Sequence, residues 1–325
     1  MARYGSSDWD DAVTALRSAS EVAIGCHVHP DGDALGSLLA ATLGLAKLGK
    51  RTHASWGDPN AQLPPNYGWL PGADRLLDPK DVPPSEVWLA LDCGAGDRLG
   101  ELEDAARASD VLINVDHHTG NDNFGDLNIV APAASSTAEI VTYLLRDVGV
   151  ELDRDIAVCL YTGIVTDTGR FQYSNASPDT LRLAADLLAL DVPAPQIALD
   201  VFESYPFAYL KLLGRVLDRA VLCSAEGFVY SYFTRQDLED TGVGLDQTDG
   251  VIDCVRSTSA ADVAAIFKEQ PDGRYRVSMR SKGPISVGRL ARAREGGGHE
   301  LAAGFTSDDI DATVETLRAD IRAAR

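Results

Sequence analysis

A chain of 325 residues, 45% hydrophobic and 24% charged, is long enough for two domains and apolar enough to bury its cores without disulfides or structural metals. Its formal net charge of −20 argues against wrapping long nucleic acid, which needs Lys and Arg against phosphate. No run of about 18 apolar residues is present, so no transmembrane helix is expected.

Taken in order, the opening residues have no apolar segment behind their basic residue, and no secretory leader is expected. Residues 8–20 predict an amphipathic helix, and 21–26 a short buried strand. The turn His27-Val-His-Pro-Asp-Gly-Asp33 follows, and residues 35–48 predict a helix stopped by Gly49. Residues 51–55 predict a second strand, and the Pro- and Gly-rich 57–85 a loop with short helical pieces. Residues 86–92 and 111–116 are further buried strands, ending on Asp92 and on Asp116-His117-His118. A helix is expected over 136–149, with Ser135 or Ser136 as its cap and Glu139 in a capping box. Helices over 153–166 and 178–190 follow, the first leading to Asp167.

Strands alternating with helices predict an α/β fold with a doubly wound, mainly parallel sheet. Sites in such sheets lie beyond the carboxyl ends of the strands, where three strands here carry acid or imidazole groups. Residues 1–190 are therefore expected to form the catalytic domain and 191–215 a linker. From about 216, short alternating runs at 219–223, 228–233, 261–268 and 274–280, with helices near 286–294 and 310–324, predict a smaller α+β domain over 216–325. The active site is expected in the cleft between the domains.

Charge is uneven: residues 1–210 carry −18 and residues 211–325 carry −2. Arg274 to Arg294 holds seven basic residues and no acid, which in so acidic a chain points to anion binding as much as to a solvated face. Five scattered cysteines with no C-x-x-C spacing predict buried thiols in a reducing cytoplasm.

His27, Asp31, Asp33, Asp92, His117 and Asp167 form the candidate ligand set. It is too large and too rich in oxygen for one zinc, and suits two octahedral divalent ions, Mn²⁺ foremost, with Mg²⁺ or Co²⁺ as alternatives. Two such ions are the device for displacement at phosphorus. Asp92, between the two groups of ligands in chain order, is expected to bridge them. His118 is the candidate acid or hydrogen-bond donor to phosphate. Asp116 is expected to hold an imidazole tautomer, and Arg98 joins them against the reading of a plain surface arginine. In the second domain, Gly296, Gly297 and Gly298 allow close backbone approach to a phosphate or ribose. His299, Arg280, Ser281 and Lys282 are the expected partners there.

These motifs resemble the DHH/DHHA1 phosphoesterases of the nanoRNase type. Asp116-His117-His118 is the signature, and His27–Ser37 is similar to the first motif. Leu91-Asp92 with Asp97-Arg98-Leu-Gly100, Ser135-Ser136-Thr137-Ala-Glu139 and Gly163–Gly169 are similar to later motifs. Gly296–His299 with Ala302–Phe305 resembles the glycine-rich mark of the DHHA1 domain. The resemblance implies a Mn²⁺-dependent phosphodiesterase and phosphatase acting on short oligonucleotides such as nanoRNA and pApA, on cyclic di-AMP, and on 3′-phosphoadenosine 5′-phosphate. It further implies a homodimer, the six ligands named above, and a substrate end resting on Arg280, Ser281 and Gly296–His299. Alternatives are an inorganic pyrophosphatase or polyphosphatase and a RecJ-like single-strand exonuclease.

Overall fold

The structure is a computed structural model and describes residues 8–58, 63–248, 250–298 and 300–325. It divides into two compact units, Met1–Ser204 and Tyr205–Arg325.

In the first unit the elements run α1 (Trp9–Ser18), β1 (Glu21–Cys26), α2 (Gly32–Lys47), β2 (Arg51–Trp56), β3 (Val87–Leu91), α3 (Glu103–Arg107), β4 (Val111–Asp116), β5 (Leu127–Val130), α4 (Thr137–Val148), α5 (Arg154–Asp167), α6 (Pro178–Leu188) and α7 (Ala194–Ala198). The five strands form one sheet in the order β2-β1-β3-β4-β5, all neighbours parallel. Their apolar runs are continuous because both faces are covered. Val22, Ile24, Leu89, Leu91, Ile113 and Val115 pack into the main core. Ala23, Trp88, Ala90 and Leu112 point the other way, onto Leu99, Leu102 and Ala106. Strand β5 and helix α3 carry little periodic signal and were not expected from the sequence.

Helix α2 starts at Gly32, three residues before the expected Leu35. Asp31 accepts from the Asp33 and Ala34 N–H groups at 3.0 and 3.1 Å and so caps the helix inside the acidic turn. Helix α2 packs on α5, where a Cβ on Gly36 would sit 2.4 Å from the Cys159 carbonyl oxygen. For α4, Ser136 is the cap, accepting from Glu139 N–H at 3.1 Å. The expected capping box is not closed: the Glu139 carboxylate instead accepts from the Ser135 hydroxyl and N–H (2.7 and 3.2 Å) and the Thr180 hydroxyl (3.0 Å). Residues 191–215 hold α7 and most of the next helix, and the division between units falls among them, at Ser204.

The second unit contains α8 (Phe207–Asp218), β6 (Val221–Cys223), β7 (Phe228–Phe233), α9 (Arg235–Thr241), α10 (Val251–Arg256), β8 (Val263–Glu269), β9 (Tyr275–Ser281), α11 (Val287–Arg292), β10 (Gly297–Gly298), β11 (Ala302–Ser307) and α12 (Ile310–Ala324). Its mixed sheet has the order β10-β11-β9-β8-β7-β6. One face packs Phe228, Phe267, Val277 and Met279 against Leu290, Leu317 and Ile321. The other packs Val229, Ala264 and Ile266 against Leu212, Val216 and Ile252. Within the glycine-rich segment, β10 pairs antiparallel with β11. Among the described residues no helix is long and apolar enough to cross a membrane.

Candidate metal centre

Parallel pairing sets Cys26 beside Leu91 and Leu91 beside Val115. The next residues along, His27, Asp92 and Asp116-His117, therefore leave the carboxyl edge of the sheet side by side. Asp33 arrives in the first turn of α2, and Asp167 is the last residue of α5. Asp92 has φ 60, a left-handed conformation that costs a residue with a Cβ about 1 kcal/mol or more.

His27 Nε2 lies 3.4 Å from Asp92 Oδ2 and 4.0 Å from Asp31 Oδ1. His117 Nε2 lies 3.9 Å from Asp33 Oδ2, 3.8 Å from Asp92 Oδ1 and 3.6 Å from Asp167 Oδ2. Two groups able to hold a cation result: His27, Asp31 and Asp92, and Asp33, His117 and Asp167. Asp92 faces both, one oxygen toward each. His118 makes a further possible group with Asp92 and His117. His27 Nδ1 is 2.9 Å from the Val28 carbonyl. With Nδ1 directed to that carbonyl, Nε2 is the ring nitrogen turned to the carboxylates, and a cation bound there would take the place of its proton.

The electrostatics describe a site built for positive charge. Burial pushes the Asp33 carboxyl well above its ordinary range, and the charges of Asp92 and Asp167 add to this, against the Ala138 N–H. Burial also raises Asp167, to about 7, although His117 pulls it down. For Asp92 burial acts upward too, but the His27 hydrogen bond and the charges of His118, His27 and His117 prevail and hold it low. Closely spaced buried carboxylates repel one another, and a divalent cation relieves that repulsion. Oxygen-rich groups with one imidazole each fit hard or borderline divalent ions better than a thiolate-seeking one.

His118 Nδ1 is 2.7 Å from Asp116 Oδ1. Burial lowers the His118 pKa, but the Asp116 hydrogen bond and the charges of Asp92, Asp116 and Asp167 outweigh it and bring it to about 9. Asp116 is fully buried and also accepts from Asn121 Nδ2 at 2.6 Å. Arg98 is exposed, with a guanidinium nitrogen 3.3 Å from His27 Nδ1 and 3.4 Å from the Val28 carbonyl. His29 is exposed and faces Asp58, its Nδ1 3.6 Å from that carboxylate.

Three contributors were given no role by the sequence reading, although Thr137 stands in one of its motifs. Thr137 donates to Asp92 and Asp33, Asn121 holds Asp116, and Asn175 Nδ2 donates to the Asp167 and Ser135 carbonyls at 3.2 and 2.8 Å. Thr137 follows a cap signal in the sequence. For the two asparagines nothing in the sequence marks the role.

In the second unit, Arg280 on β9 pairs in register with Ala302 of β11, and β11 pairs with Gly297 and Gly298 of β10. These predicted residues share one corner of the sheet. Gly297 is open to solvent, whereas a Cβ on Gly296 would meet the Gly304 carbonyl at 2.2 Å. Ser281 is buried, 3.4 Å from the Gly283 carbonyl, and the Lys282 ammonium donates to the Thr258 carbonyl. His299 lies outside the described residues. Of the basic run, Arg274 pairs with Asp272, Arg292 with Glu300 and Arg294 with Asp320. Arg276, Arg280 and Arg289 have no acidic partner among the described residues.

A parallel sheet that gathers imidazoles and carboxylates into adjoining groups able to hold cations, followed by a mixed-sheet unit with a basic corner, fits a divalent-metal phosphoesterase of the DHH type. Residues 21–164 match the DHH family N-terminal domain and residues 226–324 the DHHA1 domain. The chain is 34% identical over 290 residues to the "Bifunctional oligoribonuclease and PAP phosphatase NrnA" of Thermus thermophilus, covering 89% of this chain and 84% of that one. It is 30% identical to the Bacillus subtilis protein of the same name, over 90% and 92% of the two chains. The crystal structure of an exopolyphosphatase-related protein from Bacteroides fragilis superposes with TM-score 0.89 at 25% identity, over 97% and 96% of the chains. The chain belongs to the DHH/DHHA1 family of phosphoesterases, which are hydrolases.

Proposed function

We propose that this protein is a Mn²⁺-dependent two-metal phosphodiesterase and phosphatase. It cuts short oligonucleotides (nanoRNA, pApA, cyclic di-AMP) to mononucleotides and converts 3′-phosphoadenosine 5′-phosphate to AMP. The observation that carries this reading is the position of Asp92, with one oxygen 3.4 Å from His27 Nε2 and the other 3.8 Å from His117 Nε2. His27, Asp31 and Asp92 would hold one ion, and Asp33, Asp92, His117 and Asp167 the other. When bound, the ions supply charge neutralisation and a water of lowered pKa at phosphorus.

The chain's own groups do the rest. Asp116 fixes the His118 ring from Nδ1 and leaves Nε2 to hold a proton for the leaving oxygen. Arg98 offers its guanidinium to a phosphate oxygen. Arg280 and the Gly296–His299 segment grip the terminal nucleotide, with Lys282 available once it leaves the Thr258 carbonyl and the buried Ser281 supporting the strand beside them, which favours nucleotides over pyrophosphate. The names of the Thermus and Bacillus relatives support the same substrate class.

A cytoplasmic homodimer is part of the proposal. The five cysteines are free thiols. Phe207, Leu210 and Leu217 on α8 are 72%, 51% and 46% exposed, an apolar stripe of the kind that marks an interface.

The deciding experiment is a comparison of rates in Mn²⁺ on RNA and DNA dinucleotides, pApA, cyclic di-AMP, phosphoadenosine phosphate, pyrophosphate and a long single strand. Dinucleotides and phosphoadenosine phosphate are expected to lead. Phosphate release from pyrophosphate alone, or faster digestion of the long strand, overturns the reading. Light scattering is expected to give twice the monomer mass.

A further inference from the structure

The first residue of α4 touches both halves of the centre. The Thr137 hydroxyl donates to Asp92 Oδ1 at 2.9 Å, and the Thr137 N–H donates to Asp33 Oδ2 at 2.7 Å. The next N–H, of Ala138, donates to Asp33 Oδ1 at 2.9 Å. Thr137, Asp33 and Asp92 are 0%, 1% and 3% exposed, so water does not substitute for these donors. Helix N-termini carry unpaired N–H groups and a partial positive charge, which suits a carboxylate.

The neighbouring helix is shaped to permit this approach. A Cβ on Gly163 of α5 would lie 2.6 Å from the Ala138 Cβ and 2.9 Å from Asp33 Oδ1. Any larger residue there would part α4 from Asp33. Asp92 sits in a left-handed backbone conformation, so its side-chain direction needs an external hold. The Thr137 hydroxyl is one.

We propose that Thr137 is a positioning residue of the metal centre. Its hydroxyl and N–H tie the carboxylate shared by the two cation sites to Asp33, which serves the second site only. One side chain thereby sets the separation of the two sites before any ion arrives. Positioning partners of this kind contribute about 10- to 100-fold to metal affinity. The inference rests on the two-metal reading above.

The test uses the full chain stripped of metal and titrated with Mn²⁺ by calorimetry, with thermal unfolding of each metal-free variant alongside. Thr137→Val keeps the shape and the N–H and removes only the hydroxyl. It is expected to bind Mn²⁺ about 10- to 100-fold more weakly while unfolding cooperatively, and Thr137→Ser is expected to bind within about twofold of the parent. If the valine variant does not fold, Thr137→Ala tests the same hydroxyl with less bulk. Parent-like Mn²⁺ affinity without the hydroxyl overturns the proposal, as does equal weakening by serine and valine. Asp92→Asn separates the two readings. If it loses Mn²⁺ affinity while Thr137→Val does not, only the positioning role falls. If it too binds as the parent does, the two-metal reading falls with it.

Discussion

The acid cluster of the first unit and the basic corner of the second are opposites in construction as well as in charge. In the first, Asp33, Asp92, Asp116, His27 and His117 are all buried, and each has a partner that fixes its direction. In the second, Arg276, Arg280 and Arg289 lie on partly exposed β9 and α11, and Gly297 faces open space. Reactions that need atoms held to a fraction of an ångström are served by buried, over-determined groups. Recognition of a mobile phosphate or sugar tolerates exposed, long side chains. The difference predicts that substitutions in the first region act on turnover, and those in the second on substrate preference.

The sharpest way to break this contrast is to remove a ligand. Asp33→Ala or His117→Ala is expected to lower turnover in Mn²⁺ by at least about 10³-fold, with the fold retained by circular dichroism. Near-parental rates would dissolve the assignment. The packing that builds the cluster comes next. Gly36→Ala would put a Cβ 2.4 Å from the Cys159 carbonyl, and overpacking of this kind costs about 2 kcal/mol, read as a lower denaturant midpoint with unchanged substrate ranking.

For the basic corner, Arg280→Ala is expected to raise KM for dinucleotides about tenfold, the worth of one charge-assisted hydrogen bond, and to spare a small chromogenic phosphodiester. Equal losses on both would remove the distinction between the regions. The smallest effect concerns a network in the second unit. Arg219 and Arg215 hydrogen-bond the buried Asp237, and Arg219 foremost holds its carboxyl below the ordinary range against the effect of burial. A lowered folded pKa gives stability that is present above the unfolded value of about 3.9 and is lost on acidification. Asp237→Asn is thus expected to lower stability by about 1 kcal/mol at neutral pH, with the gap to the parent closing below about pH 4 in denaturant titrations.

Most of the first unit was legible from its residues because its strands are continuous apolar runs and its helices carry caps. The strands ending on Asp92 and on Asp116-His117 fall where the patterns place them. The weaker elements were not legible. Strand β5 is four residues long and half-exposed, and α9 and α10 run seven and six residues, too short for a helical period to stand out. The pairing of Gly297-Gly298 with Ala302–Ser307 leaves no mark in the sequence because glycine carries no side-chain pattern, and only pairing of β11 with β9 joins it to the sheet.

Local sequence was enough for the family and for a candidate chemistry: six acids and imidazoles at strand and helix ends, and a glycine-rich basic segment some 250 residues later. Tertiary structure alone decided how that chemistry is held. Asp31 became a helix cap as well as a candidate ligand, Glu139 left its capping box for Ser135 and Thr180, and Thr137 came to bind Asp92 and Asp33 at once. The reason is one of range. Donor types and strand ends are local properties of the chain, whereas a hydrogen bond between residues 45 or 104 positions apart exists only after the helices have packed on the sheet.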